Sequence, residues 1–266
     1  MKLHYKSSGS GEPVVILHGL FGMLDNWATF GRYLSDAYAV YTPDLRNHGR
    51  SPHDEVFNYD VLAEDLRDFI IEHGLGPATV IGHSLGGKTA MLAALRWPQL
   101  ISRMIVVDIA PRAYIAQHDT VIAALQRIDP GATSSRNEME ARMMEELHDI
   151  QVSRLLVKNL ARNADGTLYW RMNLPVLTAS YASLSKAIQA DRPFPGPALF
   201  VRGGKSKYIL DEDMEMIHAL FPSSTLITIP GAGHWVHADA MEELLAVTRQ
   251  FILSNPPNSS VVPPSE

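Results

Sequence analysis

Six short apolar runs, rich in valine and isoleucine, constrain the fold of this chain more than any other feature. A strand with one face in water alternates apolar and polar residues, so unbroken runs indicate strands buried on both faces of a parallel sheet. Helical patterns separate the runs, and that alternation predicts β-α-β units. The fold class is therefore α/β, with a mostly parallel central sheet and helices on both faces. The runs are Val14–Leu17, Ala39–Tyr41, Ala78–Ile81, Met104–Val107, Ala198–Val201 and Leu226–Ile229.

Two of the helical patterns are clearly amphipathic. Between residues 59 and 70, apolar residues recur at three- and four-residue spacing, with Asn58 placed to cap the helix and Gly74 to end it. A second stripe runs from Met241 to Ile252. Both patterns predict helices with one face on the sheet.

A long gap interrupts the alternation of strands and helices. Residues between Pro111 and Pro197 contain helical patterns and no convincing strand, so we predict that 112–197 form a helical cap, or lid, over the sheet. The α/β core would then comprise residues 1–111 and 198–254. The Pro/Ser-rich residues 255–266 are predicted to be disordered.

Composition excludes several classes of protein. The chain has 266 residues, 46% of them hydrophobic, which is enough for one sizeable core. A net charge of −6 gives no basic excess, so we expect no binding to nucleic acid. The absence of cysteine excludes disulfide scaffolds and thiol chemistry. With no signal peptide or membrane-length apolar run in the sequence, we predict a cytoplasmic protein without stable membrane association.

The strongest chemical signal is the segment 82–87, which reads GHSLGG. It lies between a predicted strand and a predicted helix, which is the context of a nucleophile turn. Small residues must flank the serine in such a sharp turn, and Gly82 and Gly86 meet that need. We therefore predict that Ser84 is a nucleophile and that the backbone N–H of Leu85 is an oxyanion donor.

A serine nucleophile needs a base, and His234 is the best candidate among eleven histidines. It follows the last predicted strand, so it lies at the carboxyl edge of the sheet, as Ser84 does. His237 lies three residues further on, but no third ligand has diagnostic spacing, and we predict no metal site.

Two positions compete for the acid that would orient the imidazole. Asp108 ends the apolar run Met104–Val107, where a buried carboxylate is costly unless it is paired. The loop after Ala198–Val201 is the other position, but its nearest carboxylates, Asp211 and Asp213, come late. We favour Asp108 as the acid, with hydrogen bonding to local amides as its alternative role.

A second oxyanion donor should come from the turn at residues 18–22, which reads HGLFG. The backbone N–H of Leu20 is the candidate, since the glycines let the backbone approach a ligand. His18 is expected to brace this loop rather than act as a second base. Arg46, in a nearby turn, is expected to form a buried structural network with Asp44 or loop carbonyls rather than bind substrate.

Taken together, these segments resemble the alpha/beta-hydrolase superfamily over nearly the whole chain. The matching marks are HGLFG at 18–22, DLRNHGRS at 44–51, GHSLGG at 82–87, VDIAP at 107–111 and GAGHW at 231–235. The combination is most similar to bacterial carboxylesterases of the YbfF type and the related abhydrolase-domain-11 proteins. That subgroup places its acid at the position of Asp108, and Lys207 stands where many related enzymes have the aspartate.

The resemblance implies a serine carboxylesterase that needs no cofactor and hydrolyses acyl esters, and also acyl thioesters. We expect short- to medium-chain acyl groups. Its partner would be a small-molecule ester; the sequence gives no signal for an oligomeric state. C–C bond hydrolysis, perhydrolysis and lactone opening on the same scaffold remain alternatives, and so does a ligand-binding sensor with slow turnover. The predicted substrate contacts are Phe21, Trp235, Tyr114, Trp170 and Tyr181.

Overall fold

A seven-stranded sheet forms the centre of the computed structural model, which describes residues 1–115, 119–133 and 135–256. Its strands are β1 (Tyr5–Ser8), β2 (Pro13–Leu17), β3 (Ala39–Pro43), β4 (Ala78–His83), β5 (Ile101–Val107), β8 (Ala198–Gly203) and β9 (Ser224–Ile229). They are arranged in the order β1-β3-β2-β4-β5-β8-β9, and every pairing is parallel except that of β1 with β3.

The six predicted strands are confirmed, whereas β1 was missed. Its sequence, Tyr-Lys-Ser-Ser, has no apolar run, and three of its four residues are exposed. An edge strand pairs on one side only and need not be apolar, so composition alone does not reveal it.

Helices cover both faces of the sheet and complete two apolar cores. Alternate residues of one strand enter different cores, as Val80 and Ile81 do, which explains the unbroken apolar runs. Asn58 caps the helix Tyr59–Glu72 by accepting a hydrogen bond from the Val61 amide at 3.1 Å, as predicted. The helices outside the segment between β5 and β8 are α1 (Ala28–Leu34), α2 (Tyr59–Glu72), α3 (Leu85–Arg96), α9 (Met214–Leu220), α10 (Val236–Asp239) and α11 (Met241–Ser254).

The segment between β5 and β8 is mainly helical, but the expectation that it lacks strands was wrong. Leu160–Arg162 (β6) and Leu168–Trp170 (β7) form an antiparallel hairpin. Three-residue strands are too short to give a periodic signal in the sequence. The helices of the segment are α4 (Asp119–Arg127), α5 (Arg136–Leu147), α6 (Ile150–Val157), α7 (Leu174–Ala179) and α8 (Tyr181–Leu184).

Two further predictions concern the C-terminal tail and the membrane. The predicted disordered tail falls, from residue 257 onward, outside the described residues. Over the ranges that the structure describes, no helix combines the length and apolarity required to cross a bilayer.

Sheet register brings distant parts of the sequence to one edge. Gly82 and His83 of β4 lie opposite Val106 and Val107 of β5. The residues that follow these strands, Ser84 and Asp108, therefore leave the sheet side by side at its carboxyl edge, where parallel sheets bind ligands.

Candidate active site

Ser84 occupies a strained turn between β4 and α3. Its φ of 52° lies in the left-handed region, and only 8% of the residue is exposed. The turn requires glycine at two flanking positions. A Cβ on Gly82 would lie 2.2 Å from the Gly86 carbonyl oxygen, and one on Gly86 would lie 2.6 Å from that of Leu17. The backbone thus holds the serine at the tip of the turn.

Asp108 follows β5 and is fully buried, with a φ of 53°. Its Oδ1 accepts a hydrogen bond from the Gly203 amide at 2.9 Å, and its Oδ2 accepts one from the Ser206 hydroxyl. Oδ2 also lies 2.8 Å from Nδ1 of His234. Burial raises the pKa of Asp108 to about 7, against the opposing effect of the hydrogen bonds from Ser206 and Gly203.

The two competing carboxylates, Asp211 and Asp213, interact with arginines instead of His234. Asp211 is paired with Arg202 at 2.6 Å, and its side chain is largely exposed. Asp213 is paired with Arg112 at 2.9 Å and accepts a hydrogen bond from the Leu210 amide. The carboxylate in contact with the imidazole is therefore that of Asp108, which also accepts a hydrogen bond from the Gly203 amide, 95 positions away in the sequence.

Two aromatic rings hold His234 beside the nucleophile turn. Tyr208 stacks on its imidazole with ring centroids 3.9 Å apart. His83, the residue before Ser84, lies 4.7 Å from it between ring centroids and donates from Nε2 to the His234 carbonyl at 2.9 Å. The Nδ1–H bond to Asp108 fixes the tautomer in which Nε2 is the basic nitrogen.

Leu20 and Leu85 line the same cavity as Ser84. Leu85 is the first residue of α3, where a backbone N–H has no partner within the helix. The loop that carries Leu20 is tied down at the next residue. The Phe21 amide donates to Nε2 of His48 at 3.2 Å, and the Phe21 carbonyl accepts from Nδ2 of Asn159, in the inserted segment, at 2.6 Å.

His18 and His48 brace this loop as neutral imidazoles. His18 donates from Nδ1 to the Gly19 carbonyl at 2.8 Å and accepts from the Leu45 amide at Nε2, 3.0 Å away. Burial lowers the pKa of His18 to about 4 and that of His48 to about 3, so each keeps its acceptor nitrogen at neutral pH. These contacts confirm the bracing role expected for His18.

Arg46 forms a buried network, as expected, but Asp44 is not its partner. Its Nε and Nη2 donate to Asp65 of α2 at 2.6 and 2.9 Å, and its Nη1 donates to the Val56 carbonyl at 3.0 Å. Asp44 instead accepts from backbone amides, including that of Leu24 at 2.8 Å. The sequence could not distinguish the two carboxylates, because Asp65 comes from a helix nineteen positions away.

The cavity over Ser84 has about 450 Å³ of empty space, part of it open to solvent. Of the predicted contacts, Tyr114 and Tyr181 line it, whereas Phe21, Trp170 and Trp235 do not. Trp235 instead lines a separate cavity with His237, and the Phe21 side chain is buried in the core. Further wall residues that the sequence reasoning missed are Tyr59, Lys88, Ile109, Leu184 and Tyr208.

Ser206 and Lys88 are the missed residues with the most direct chemistry. Ser206 lies in a loop whose contact with Asp108 depends on sheet order, so the sequence carries no signal for it. Lys88 was detectable, because a lysine within the apolar helix Leu85–Arg96 is unusual.

His237 is buried and stacks on Trp27, with ring centroids 4.5 Å apart. Among the residues that the structure describes, no three His, Asp or Glu side chains are grouped as a metal site requires.

A serine on a strand-to-helix turn, with an imidazole–carboxylate pair beside it at the carboxyl edge of the sheet, defines a protein of the hydrolase class. The chain belongs to the alpha/beta hydrolase fold family, whose pattern matches residues 12–240.

The similar curated proteins carry esterase and lipase names. The sn-1-specific diacylglycerol lipase ABHD11 of Xenopus tropicalis is 37% identical over 94% of this chain and 81% of its own length. Esterase YbfF of Escherichia coli is 35% identical over 91% of this chain and 94% of its own. Among solved structures, a marine microorganism esterase has a TM-score of 0.92 and 40% identity, covering 94% of this chain and 99% of that one. The predicted fold, family and class of enzyme, carboxylic ester hydrolase, are confirmed.

Proposed function

We propose that this chain hydrolyses short- to medium-chain acyl esters, and also thioesters, through a triad of Ser84, His234 and Asp108. The observation that carries the proposal is the 2.8 Å contact between Nδ1 of His234 and Oδ2 of Asp108, beside the turn that presents Ser84. The esterase and lipase names of the relatives support the same reaction.

In the first half of the reaction, Nε2 of His234 takes the proton of the Ser84 hydroxyl as Oγ attacks the acyl carbonyl. The backbone amides of Leu20 and Leu85 donate to the oxyanion of the tetrahedral intermediate. The protonated imidazole then gives its proton to the leaving alcohol, and an acyl-Ser84 ester remains.

In the second half, Nε2 takes a proton from water as the water oxygen attacks the acyl carbon. The imidazolium then gives that proton to Oγ of Ser84 as the acyl–Oγ bond breaks, which releases the acid and restores the hydroxyl and the neutral imidazole. Asp108 stabilises the cationic imidazole in both halves. The donors to Asp108, Ser206 and Gly203, favour its charged form and so support that role.

The walls of the cavity favour a short or medium acyl chain. Four tyrosine rings stand around the site, and their bulk restricts the space over the nucleophile. They are Tyr59, Tyr114, Tyr181 and Tyr208.

A fluorophosphonate probe and a substrate panel test the proposal. The probe should label Ser84, as mapped by peptide mass spectrometry, and Ser84→Ala should abolish labelling, with Ser223→Ala as the matched control. A series of p-nitrophenyl esters should show highest kcat/KM below twelve carbons. Labelling at another residue, a maximum at twelve carbons or more, or turnover only of lactones or vinylogous diketones would refute the proposal.

A further inference from the structure

Lys88 is a buried cation in the wall of the cavity that contains Ser84. It lies on α3, one helical turn after Ser84, and only 1% of the residue is exposed. The Lys88 amide donates to the Ser84 carbonyl at 3.1 Å in the first turn of this helix, and both residues line one cavity.

The groups that contact the ammonium directly are carbonyl oxygens and tyrosine rings. Nζ donates to the carbonyl oxygens of Arg112 at 2.8 Å and Lys186 at 2.6 Å, at the two ends of the inserted segment. It also lies 5.6 Å from the ring centroid of Tyr59 and 4.8 Å from that of Tyr114. Burial raises the pKa of both tyrosines, so they stay neutral near neutral pH.

No carboxylate of the described ranges pairs with Lys88 within ion-pair distance. The charged side chain that acts on it is the guanidinium of Arg112, which has the same sign and is itself paired with Asp213. Burial and this repulsion lower the pKa of Lys88 to about 7. A buried charge normally has a counterion, and Lys88 has two neutral acceptors for its three donors.

We propose that Lys88 selects acyl groups that carry a second carboxylate, so that the preferred substrates are half-esters or half-thioesters of short dicarboxylic acids. The acyl carbon would lie at Ser84 and the far carboxylate at Lys88, in the wall of the same cavity. The bound carboxylate would supply the missing counterion and accept the third N–H of the ammonium. This inference rests on the proposed function and specifies its substrate class.

The test compares two esters that differ only in charge: mono-p-nitrophenyl glutarate and its methyl ester. The ratio of their kcat/KM values at pH 6.5 should be about tenfold or more in favour of the half-ester, as expected for one hydrogen bond between charged groups. In Lys88→Met the ratio should fall to about one, since the charge is lost while the apolar stem remains. Lys186→Met, which removes an exposed cation but keeps the carbonyl, should leave the ratio unchanged.

Wild-type enzyme alone provides a second measurement, in case Lys88→Met folds poorly. The ratio should decline between pH 6 and pH 9 as Lys88 loses its proton, because the glutarate carboxylate stays charged and the methyl ester corrects for the triad. A wild-type ratio of one or less, or a ratio that Lys88→Met leaves intact, would overturn the inference. Hydrolysis of neither ester would instead count against the proposed function.

Discussion

His234 and Asp108 are 126 positions apart in the sequence, yet Nδ1 of the imidazole lies 2.8 Å from Oδ2 of the carboxylate. The carboxylate is fully buried, and the Gly203 amide and the Ser206 hydroxyl also donate to it. Three donors around one buried acid leave it little freedom, so the imidazole has a fixed orientation and a fixed tautomer. The predictions that follow depend on this arrangement.

Removal of the Ser84 hydroxyl should abolish ester hydrolysis. Ser84→Ala should lower kcat by a factor of about 10⁴ or more, as expected when a triad member is lost. Steady-state assays with p-nitrophenyl butyrate measure the loss, and circular dichroism checks that the fold is retained. Hydrolysis by Ser84→Ala at near the parent rate would contradict the assignment.

Replacement of the acid should separate Asp108 from its two competitors. Asp108→Asn should reduce kcat by about 10⁴-fold, because the amide favours the wrong imidazole tautomer. Asp211→Asn should stay within about twofold of the parent, since its ion pair with Arg202 is exposed. Asp213→Asn should lower Tm, because it breaks the pair with Arg112, and should reduce kcat far less than Asp108→Asn does. A larger loss of kcat in either of these two variants than in Asp108→Asn would refute the choice of acid.

Activity should decline on the acid side of neutrality. Burial raises the pKa of Asp108 to about 7, so the carboxylate form is present above that pH and is lost as the pH falls through it. Because the Asp108 carboxylate accepts a hydrogen bond from the His234 imidazole, the acid limb of kcat/KM reports the pair rather than one residue. A profile of kcat/KM between pH 5 and pH 9 should rise to a plateau above neutrality, and a flat profile down to pH 5 would contradict the prediction.

Ser206 should set the position of that acid limb. Its hydroxyl lowers the pKa of Asp108, so Ser206→Ala should raise that pKa and move the limb to higher pH, by up to about one unit, the size of one hydrogen bond to a charged group. The control is Ser223→Ala, an exposed serine near β9, which should leave the limb in place. A Ser206→Ala profile that overlays the parent would show that the hydroxyl has no such effect.

The pair between Arg46 and Asp65 should contribute to stability. Arg46→Met removes two of the donors to the nearly buried Asp65 carboxylate and leaves the Met1 ammonium, 2.8 Å away, as its partner. It should lower the free energy of unfolding by about 1.5–3 kcal/mol, as expected for lost hydrogen bonds to a charged group. Arg96→Met, which breaks the more exposed pair with Asp60, should cost about 1 kcal/mol or less. Urea denaturation followed by fluorescence measures both, and equal losses would contradict a special role for the buried pair.

Much of the site could be predicted because its signals are local. A strand followed by GHSLGG and a helix forms a sharp turn wherever it occurs, since the glycines at 82 and 86 meet steric limits within a few residues. The six apolar runs are also local signals, because each strand that is buried on both faces is apolar along its own length, whatever its neighbours are. The polar edge strand Tyr5–Ser8 and the short hairpin strands at 160–162 and 168–170 lack such a signal and were missed.

The sequence by itself determined the α/β layout, the nucleophile turn and the candidate histidine, because these follow from short-range sterics and from where apolar runs end. Tertiary structure decided which carboxylate contacts His234, which acid pairs with Arg46 and that Lys88 lies in the wall of the cavity. The first depends on the lateral order of β4, β5, β8 and β9, the second on how α2 packs beside the turn that holds Arg46, and the third on contacts with the segment inserted between β5 and β8. Lateral order is set by packing of the whole sheet, and no single segment encodes it.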